Sequence, residues 1–327
     1  MNRRQLLAGV ISAVTIATAA SAELPEGTIT IIVPYGPGGA TDLVARVVAE
    51  SMSSQTGRTV IVDNRPGAFG IAAMEYVAAA PSDGTTLLMQ NVTTASFSPV
   101  LYASRMTFDP FEGFQPVTRI AKFNGVYVAS TASTPAFTSM NEMMDWAREH
   151  PGELRIGNVG ANSIPHLDAL TMTRGAGVEA NHIPATSGAS GMVADLINGD
   201  LHVAGLNESG AANLVAAGQG VALMVAADSE LPSFPGVPTA AELGYESFSG
   251  QGNWQAIFVN SDVPAETVAS LNDAIRAAVL SPEAQERLAN SNATIFLSET
   301  PEEFGTWFQA EVADFRVRLA DLGIEAQ

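Results

Sequence analysis

The chain contains no cysteine. That excludes disulfides and cysteine-ligated metal, and leaves a packed core as the source of stability. Lysine occurs once, at Lys122, and lysine plus arginine number 15 against 34 acids, for a formal charge of −19. Such a balance lacks the basic surface that nucleic acid or an anionic lipid face requires. Catalytic signatures are missing too: there is no G-x-S-x-G, no H-E-x-x-H and no Walker lysine. The four histidines, His150, His166, His182 and His202, show no metal-ligand spacing. The expectation is a protein that is not an enzyme, with no catalytic residue, no metal and no cofactor. Because an acidic protein repels anions at long range, any anion it binds must be held by local donors.

What is present begins with an export signal. Arg3 and Arg4 form a basic start, residues 6–19 are apolar, and Ala20-Ser21-Ala22 is an A-x-A site, so cleavage is expected after Ala22. The apolar stretch is shorter than the roughly 20 residues a bilayer requires. No later stretch is long enough, which points to a soluble protein exported to the periplasm. The paired arginines are compatible with either general or twin-arginine export.

Strands and helices alternate along the remainder. Residues 28–33 are β-branched and read as a buried strand. A Gly-rich loop follows, then a helix over 41–55 with Leu43, Val44, Val47, Val48 and Met52 on one face, stopped by Gly57. Further strands are expected at 59–62, 85–90, 117–121, 126–129, 154–158, 201–206, 221–226 and 253–259. Helices are expected at 71–80, 140–150 behind Ser139, 165–174, 264–280, 282–289 and 301–322. Pro264, Pro282 and Pro301 sit near helix starts, where proline costs no hydrogen bond. This alternation predicts parallel sheets with helices on both faces. The C-terminal helices carry too few strands for a lobe of their own, so they are expected to return to the first one. The predicted fold is α/β and two-lobed, with lobe 1 formed by 23–121 and 252–327 and lobe 2 by 122–251. The chain would cross between them near 118–122 and 252–256. Two crossings make a hinge, and the cleft between hinged lobes closes on ligands. Trp254 begins a crossing strand and is expected in the core, with the cleft wall as the alternative.

The sharpest local feature is the run from Pro34 through Tyr35, Gly36, Pro37, Gly38, Gly39, Ala40 and Thr41 to Asp42. It joins a strand to a helix start, where glycines admit close approach to backbone N–H groups and the helix dipole favours an anion. An ordinary turn capped by Thr41 or Asp42 explains the same residues. Gly36, Gly38 and Asp63 partly match a dinucleotide fingerprint, but Pro37 and Thr41 break it. A second strand–loop–helix junction runs through Ala161, Asn162, Ser163 and His166; it would place another helix start across the cleft, with simple capping by Ser163 as the alternative. Thr93, Thr94, Thr186, Ser187 and Asn207 also fall at the carboxyl ends of strands, where open α/β sheets bind ligands.

Taken together these runs resemble the substrate-binding receptors of the tripartite tricarboxylate transporter family, the Bug receptors. The markers are the 33–42 run, Asp63-Asn64-Arg65-Pro66-Gly67-Ala68, Pro81-Ser82-Asp83-Gly84-Thr85-Thr86, Phe234-Pro235-Gly236-Val237-Pro238-Thr239 and Thr300-Pro301-Glu302-Glu303-Phe304. They span about 29–322. The resemblance implies a type II Venus-flytrap receptor in the periplasm that holds an organic acid through backbone N–H groups and water at two helix-initiating loops. Those loops correspond to 35–42 and 161–166. It also implies a large and a small membrane subunit as partners. The segment 182–188 lacks the family's usual tyrosine, and His202 stands where an aspartate is common; both lie toward the expected second-lobe wall. The function expected is capture of a small carboxylate by a monomeric receptor for such a transporter. Presentation of the ligand to a sensor kinase is an alternative, and an exported α/β hydrolase a remote one.

Overall fold

A computed structural model describes residues 24–159, 163–185, 188–227, 229–245 and 252–325. The expected export signal and cleavage site, and the site candidates Ala161, Asn162, Thr186 and Ser187, lie outside the described residues.

The first strand, β1 (Ile29–Val33), is flanked on both edges by parallel partners, β2 (Val60–Asn64) and β3 (Thr86–Asn91). Helices cover both faces of it, which is why Ile29, Ile31, Ile32 and Val33 are all fully buried and the run carries no polar alternation. Between β1 and β2 lies α1 (Ala40–Thr56), whose Val44, Val47, Val48 and Met52 are buried against the sheet. It ends because Gly57 adopts φ 69° and returns its N–H to the Ser53 carbonyl at 3.0 Å. After α2 (Ile71–Ala78) and β3, residues Thr93–Phe97 form a single wide π-type turn that runs into the short α3 (Ser98–Leu101).

The long β4 (Phe114–Phe123) completes the traverse of this sheet. The chain leaves it at the buried Asn124 and enters a second sheet with β5 (Gly125–Ser130). That sheet gains β6 (Leu154–Asn158), β7 (Ala180–Pro184), β8 (Val203–Asn207) and β9 (Gly220–Ala226) in the order β7-β6-β8-β5-β9. Its helices are α4 (Met140–Glu149), capped by Ser139 Oγ accepting from the Glu142 N–H, α5 (Ile164–Gly175), α6 (Gly188–Asn198) and α7 (Glu208–Ala216).

The return strand β10 (Asn253–Asn260) re-enters the first sheet between β3 and β4. After it come α8 (Ala265–Val279), α9 (Pro282–Asn290), a short β11 (Ala293–Ile295) and α10 (Pro301–Asp321). As expected, these helices pack on the first sheet: Leu271, Ile275 and Leu288 share a core with Ile29 and Val48. Trp254 is fully buried, with its indole N–H donating to Glu311 Oε1 at 2.8 Å.

Two expectations need correction. The sheets are mixed rather than parallel: β10 is antiparallel to both β3 and β4, and β5 is antiparallel to both β8 and β9. The reason is the crossing itself, since a chain that leaves one sheet and re-enters it must run the opposite way. The first crossing falls at Asn124, because residues 118–122 belong to the ladder of β4. The two crossing strands lie side by side, with Phe123 opposite Asn253. The units also touch elsewhere: Ile164 and Leu167 of α5 join the core that holds Phe315 and Leu319 of α10.

Candidate functional site

The loop before α1 is built around Asp42, which is 2% exposed. Its carboxylate accepts from the Gly38 N–H at 2.9 Å, from Arg46 Nε and Nη2 at 2.9 Å each, and from Asn64 Nδ2 at 2.8 Å. Asn64 Nδ2 also donates to the Tyr35 carbonyl at 3.0 Å. Burial pushes the Asp42 carboxyl upward, but the bonds from Arg46, Gly38 and Asn64 outweigh it and hold the group below its ordinary range. Gly38 needs glycine, with φ 92°, and a Cβ at Gly38 or Gly39 would meet nothing within 4 Å. Gly36 through Ala40 are exposed, so the first turn of α1 presents backbone N–H groups that helix geometry leaves without intrahelical acceptors.

Asn91, at the end of β3, ties this loop to the next. Its Oδ1 accepts from Tyr35 Oη at 3.0 Å and from the Thr93 and Thr94 N–H groups at 3.1 Å each, while its Nδ2 donates to Thr41 Oγ1 at 3.3 Å. Burial lifts the Tyr35 phenol to about 12 against the opposing hydrogen bonds, so it remains a neutral donor. Tyr35, Thr41, Asp42 and Thr94 therefore sit beneath the loops and hold them in shape. Nothing in the linear pattern marks Asn91 as a tie between the loops, because Thr41 and Tyr35 are 50 and 56 residues away while Thr93 and Thr94 are local.

In the second sheet, α5 begins behind Ser163, which has capping backbone angles but makes no side-chain cap bond; its buried Oγ has no hydrogen-bond partner. No acid stands in the first turn of α5. His166, half buried, packs its ring edge-on against His182 at 5.2 Å. Burial lowers both imidazoles, His182 to about 4 with help from His166. Asn207 caps α7 by accepting from the Gly210 N–H at 2.8 Å. His202 lies away from the site, packed against Phe137 and Trp146; its Nδ1 accepts from the Arg155 N–H at 3.0 Å. No group of three or more metal-ligating side chains occurs among the described residues.

Two adjoining cavities open between the sheets, sharing Phe123, Asn207 and Asn253 as common wall. The first, of about 240 Å³, lies under the start of α1 and is lined by Gly38, Gly39 and Ala40 on one side and by Glu208 and Ser209 on the other. The second, of about 320 Å³, reaches into the second unit. Thr93, Ser163 and Asn207 line it, together with a largely apolar wall that includes Val159, Ile164, Met192 and Leu206. Tyr127 and Asp168 also line it, and neither is suggested by any strand-end rule. An acid inside the apolar face of α5, between Leu167 and Ala169, is the one local signal that marks Asp168. Of the expected residues, Gly38, Gly39, Ala40, Thr93, Ser163 and Asn207 are brought to the cavity walls; His166 lies beside them.

No described lysine or arginine lines either cavity, whereas Asp168 and Glu208 both do. Glu208 accepts from Ser233 Oγ at 2.5 Å and from Asn124 Nδ2 at 3.4 Å. Two like charges 4 Å apart at an effective dielectric near 20 repel by about 4 kcal/mol. A negative charge on a ligand brought that close to either ionised carboxylate would meet repulsion of that order.

The family model described as tripartite tricarboxylate transporter family receptor matches residues 44–312. The chain belongs to that family. A Pseudomonas sp. (strain P51) protein from the tcbD-tcbE intergenic region is 30% identical to this receptor, over 100% of the chain and 96% of the relative. Among solved structures, an R. palustris protein with adipate has TM-score 0.77 and 29% identity, covering 93% of this chain and 100% of that one. The periplasmic binding protein BugD has TM-score 0.73 and 25% identity over 93% and 100%. The receptor thus has the two-lobed type II α/β architecture of periplasmic solute-binding proteins. Its family supplies periplasmic receptors rather than enzymes. The glycine loop lies ahead of the segment that the family model matches.

Proposed function

We propose that this receptor captures a small organic acid in the cleft between its sheets and delivers it to the large and small membrane subunits of a tripartite tricarboxylate-type transporter. The observation that carries this reading is the opposition of the α1 start (Gly38, Gly39, Ala40) and the Ser163 end of α5 across two joined cavities that Asn207 and Asn253 divide. Helix starts hold anions through N–H groups and the axial dipole, which suits a cleft without cations. The adipate bound by the R. palustris relative points to the same ligand class.

In this reading Gly38, Gly39, Ala40, Thr93, Ser163 and Asn207 touch the ligand, and Ala161, Asn162, Thr186 and Ser187 are proposed as further contacts. Tyr35, Thr41, Asp42, Thr94 and His166 hold those loops. The lobes are 23–121 with 252–327 and 122–251, the first boundary moved on to Asn124 by the extent of β4. The ligand binds the closed arrangement better than the open one, and that difference in affinity drives closure. The receptor works as a monomer after removal of residues 1–22.

Thermal-shift and calorimetric titration against mono-, di- and tricarboxylates, after refolding to strip carried-over ligand, tests the ligand class. A binder of the folded state raises the melting temperature with concentration. If no organic acid does so, the ligand class is wrong.

A further inference from the structure

The smaller cavity has a wall that the two helix starts leave without a role. Besides Gly38, Gly39 and Ala40 it is lined by three asparagines. Asn207 stands at the start of α7, Asn253 opens the return strand β10, and Asn292 lies in the turn between α9 and β11. Bonds within the chain orient two of them. The Gly210 N–H can only donate, so Asn207 meets it with Oδ1, at 2.8 Å, and the same oxygen accepts from Ser209 Oγ at 3.4 Å. Gln255, fully buried, aims its Nε2 at the Asn253 backbone carbonyl, and that nitrogen donates to Asn253 Oδ1 as well, both at 3.3 Å. With both Oδ1 atoms engaged, the two Nδ2 groups are left as donors, and no described residue accepts from either.

Asn292 has φ 55°, in the left-handed region that favours glycine. Its backbone has an ordinary explanation. It follows the last turn of α9, its N–H donates to the Ala289 carbonyl at 2.9 Å, and asparagine is second to glycine at such helix ends. Capping gives no role to the carboxamide, which is half-buried, lines the cavity and bonds to no described residue. Residues held in this region cost energy and cluster where ligands bind. Neutral amide donors suit the lone pairs of an uncharged oxygen, and the Asn292 carboxamide can turn to donate or to accept. A second carboxylate would instead stand beside Glu208, which lines the same space. At about 240 Å³ the cavity is smaller than the roughly 300–1,000 Å³ of most ligand pockets, so a group held by the asparagines lies close to a carboxylate at the start of α1.

We propose that Asn207, Asn253 and Asn292 form a subsite for an uncharged oxygen substituent, hydroxyl or oxo, on the carbon next to the ligand's carboxylate. The receptor therefore prefers 2-hydroxy and 2-oxo acids to plain alkanoates, and Asn292 is a specificity-determining residue. The proposal rests on the organic-acid reading and narrows it.

A five-carbon series that differs only at the second carbon tests it: pentanoate, 2-hydroxypentanoate, 2-oxopentanoate and propylmalonate, titrated calorimetrically into the ligand-stripped receptor. The hydroxy acid, in one enantiomer, or the oxo acid is expected to bind at least tenfold more tightly than pentanoate and at least fivefold more tightly than propylmalonate. Asn292→Gly separates the side chain from the cap, because glycine favours the left-handed backbone. It should keep or raise the melting temperature, leave pentanoate affinity unchanged and cut the preference for the oxygenated acid at least threefold. Asn253→Ala removes one Nδ2 while Gln255 Nε2 keeps its bond to the backbone carbonyl, and should cut the same preference. Pentanoate or propylmalonate binding as tightly as the oxygenated acids, or a preference unchanged in both variants, overturns the inference while leaving the organic-acid reading intact. If no member of this series or of the wider carboxylate panel binds, the organic-acid reading itself falls.

Discussion

The starts of α1 and α5 border the same cleft but are built in opposite ways. At α1 an internal carboxylate, Asp42, already occupies the Gly38 N–H and is itself held by Arg46 and Asn64. At α5 there is no first-turn acid, no side-chain cap, and a buried serine hydroxyl without a partner. One start has its loop held from within by Asp42, which takes the Gly38 N–H alone and leaves the rest of the first turn facing the cleft. The other is left with unmet hydrogen-bonding capacity, which is costly in a folded protein unless something fills it. The difference teaches that a helix dipole alone does not locate an anion. What matters is whether the protein has already supplied one.

Breaking the side held from within should have the largest effect. Asp42→Ala leaves Gly38, Arg46 and Asn64 without their shared acceptor, and is expected to lower the unfolding free energy by about 2–4 kcal/mol, measured by urea denaturation. An unchanged midpoint would show that the loop does not depend on this hub. A gentler perturbation is Gly39→Trp, whose Cβ would meet nothing within 4 Å. It should leave the melting temperature nearly unaltered while cutting ligand affinity more than tenfold, about 1.4 kcal/mol. Retained affinity would remove the α1 start from the binding surface.

Acid should separate the two sides. His182, against α5, has a folded pKa of about 4, below the ordinary 6.5, because burial and His166 disfavour the charged ring. The unfolded chain therefore binds more protons between pH 6.5 and 4, and stability is lost as pH falls through that window. Asp42 is also lowered, so its contribution is present above its ordinary value of 3.8 and lost only as pH falls further. The α5 side should weaken first, and His182→Gln should flatten the stability profile between pH 6.5 and 4 by about 1–2 kcal/mol, discounted for partial exposure. A profile identical to that of the unaltered receptor would assign the acid sensitivity elsewhere. The smallest change is Ser163→Ala. It should leave stability within about 0.5 kcal/mol or raise it slightly, since a partnerless buried hydroxyl is removed, and should weaken ligand binding three- to tenfold. A clear loss of stability without loss of affinity would mean that Ser163 is a structural cap after all.

Much of this was legible in the residues. Continuous apolar runs mark β1 and β3, 3.6-residue spacing marks α1 and α10, and Gly57 and Ser139 mark helix ends, because each of these effects acts within a few residues of chain. The ordered markers from Val33 to Phe304 carried the family. Positions at strand ends brought Gly38, Gly39, Ala40, Thr93, Ser163 and Asn207 to the cleft walls. Asn91, Tyr127 and Asp168 escaped notice because their roles arise from partners distant in sequence. Asn91 joins Tyr35 and Thr41, 56 and 50 residues away; Tyr127 meets Pro165 across 38 residues.

By itself the sequence determined the alternation of strands and helices, the acidic and cation-poor composition, and hence that an anion would have to be held by backbone and neutral donors. Those are properties of local pattern and of sums over residues. Only the tertiary structure decided that the crossing strands β4 and β10 lie antiparallel with Phe123 beside Asn253, that Asp42 is consumed by its own loop, and that Asp168 lines the larger of the two cavities. These depend on which distant segments are packed together, a choice made by burying apolar surface across the whole chain rather than by any neighbouring residue.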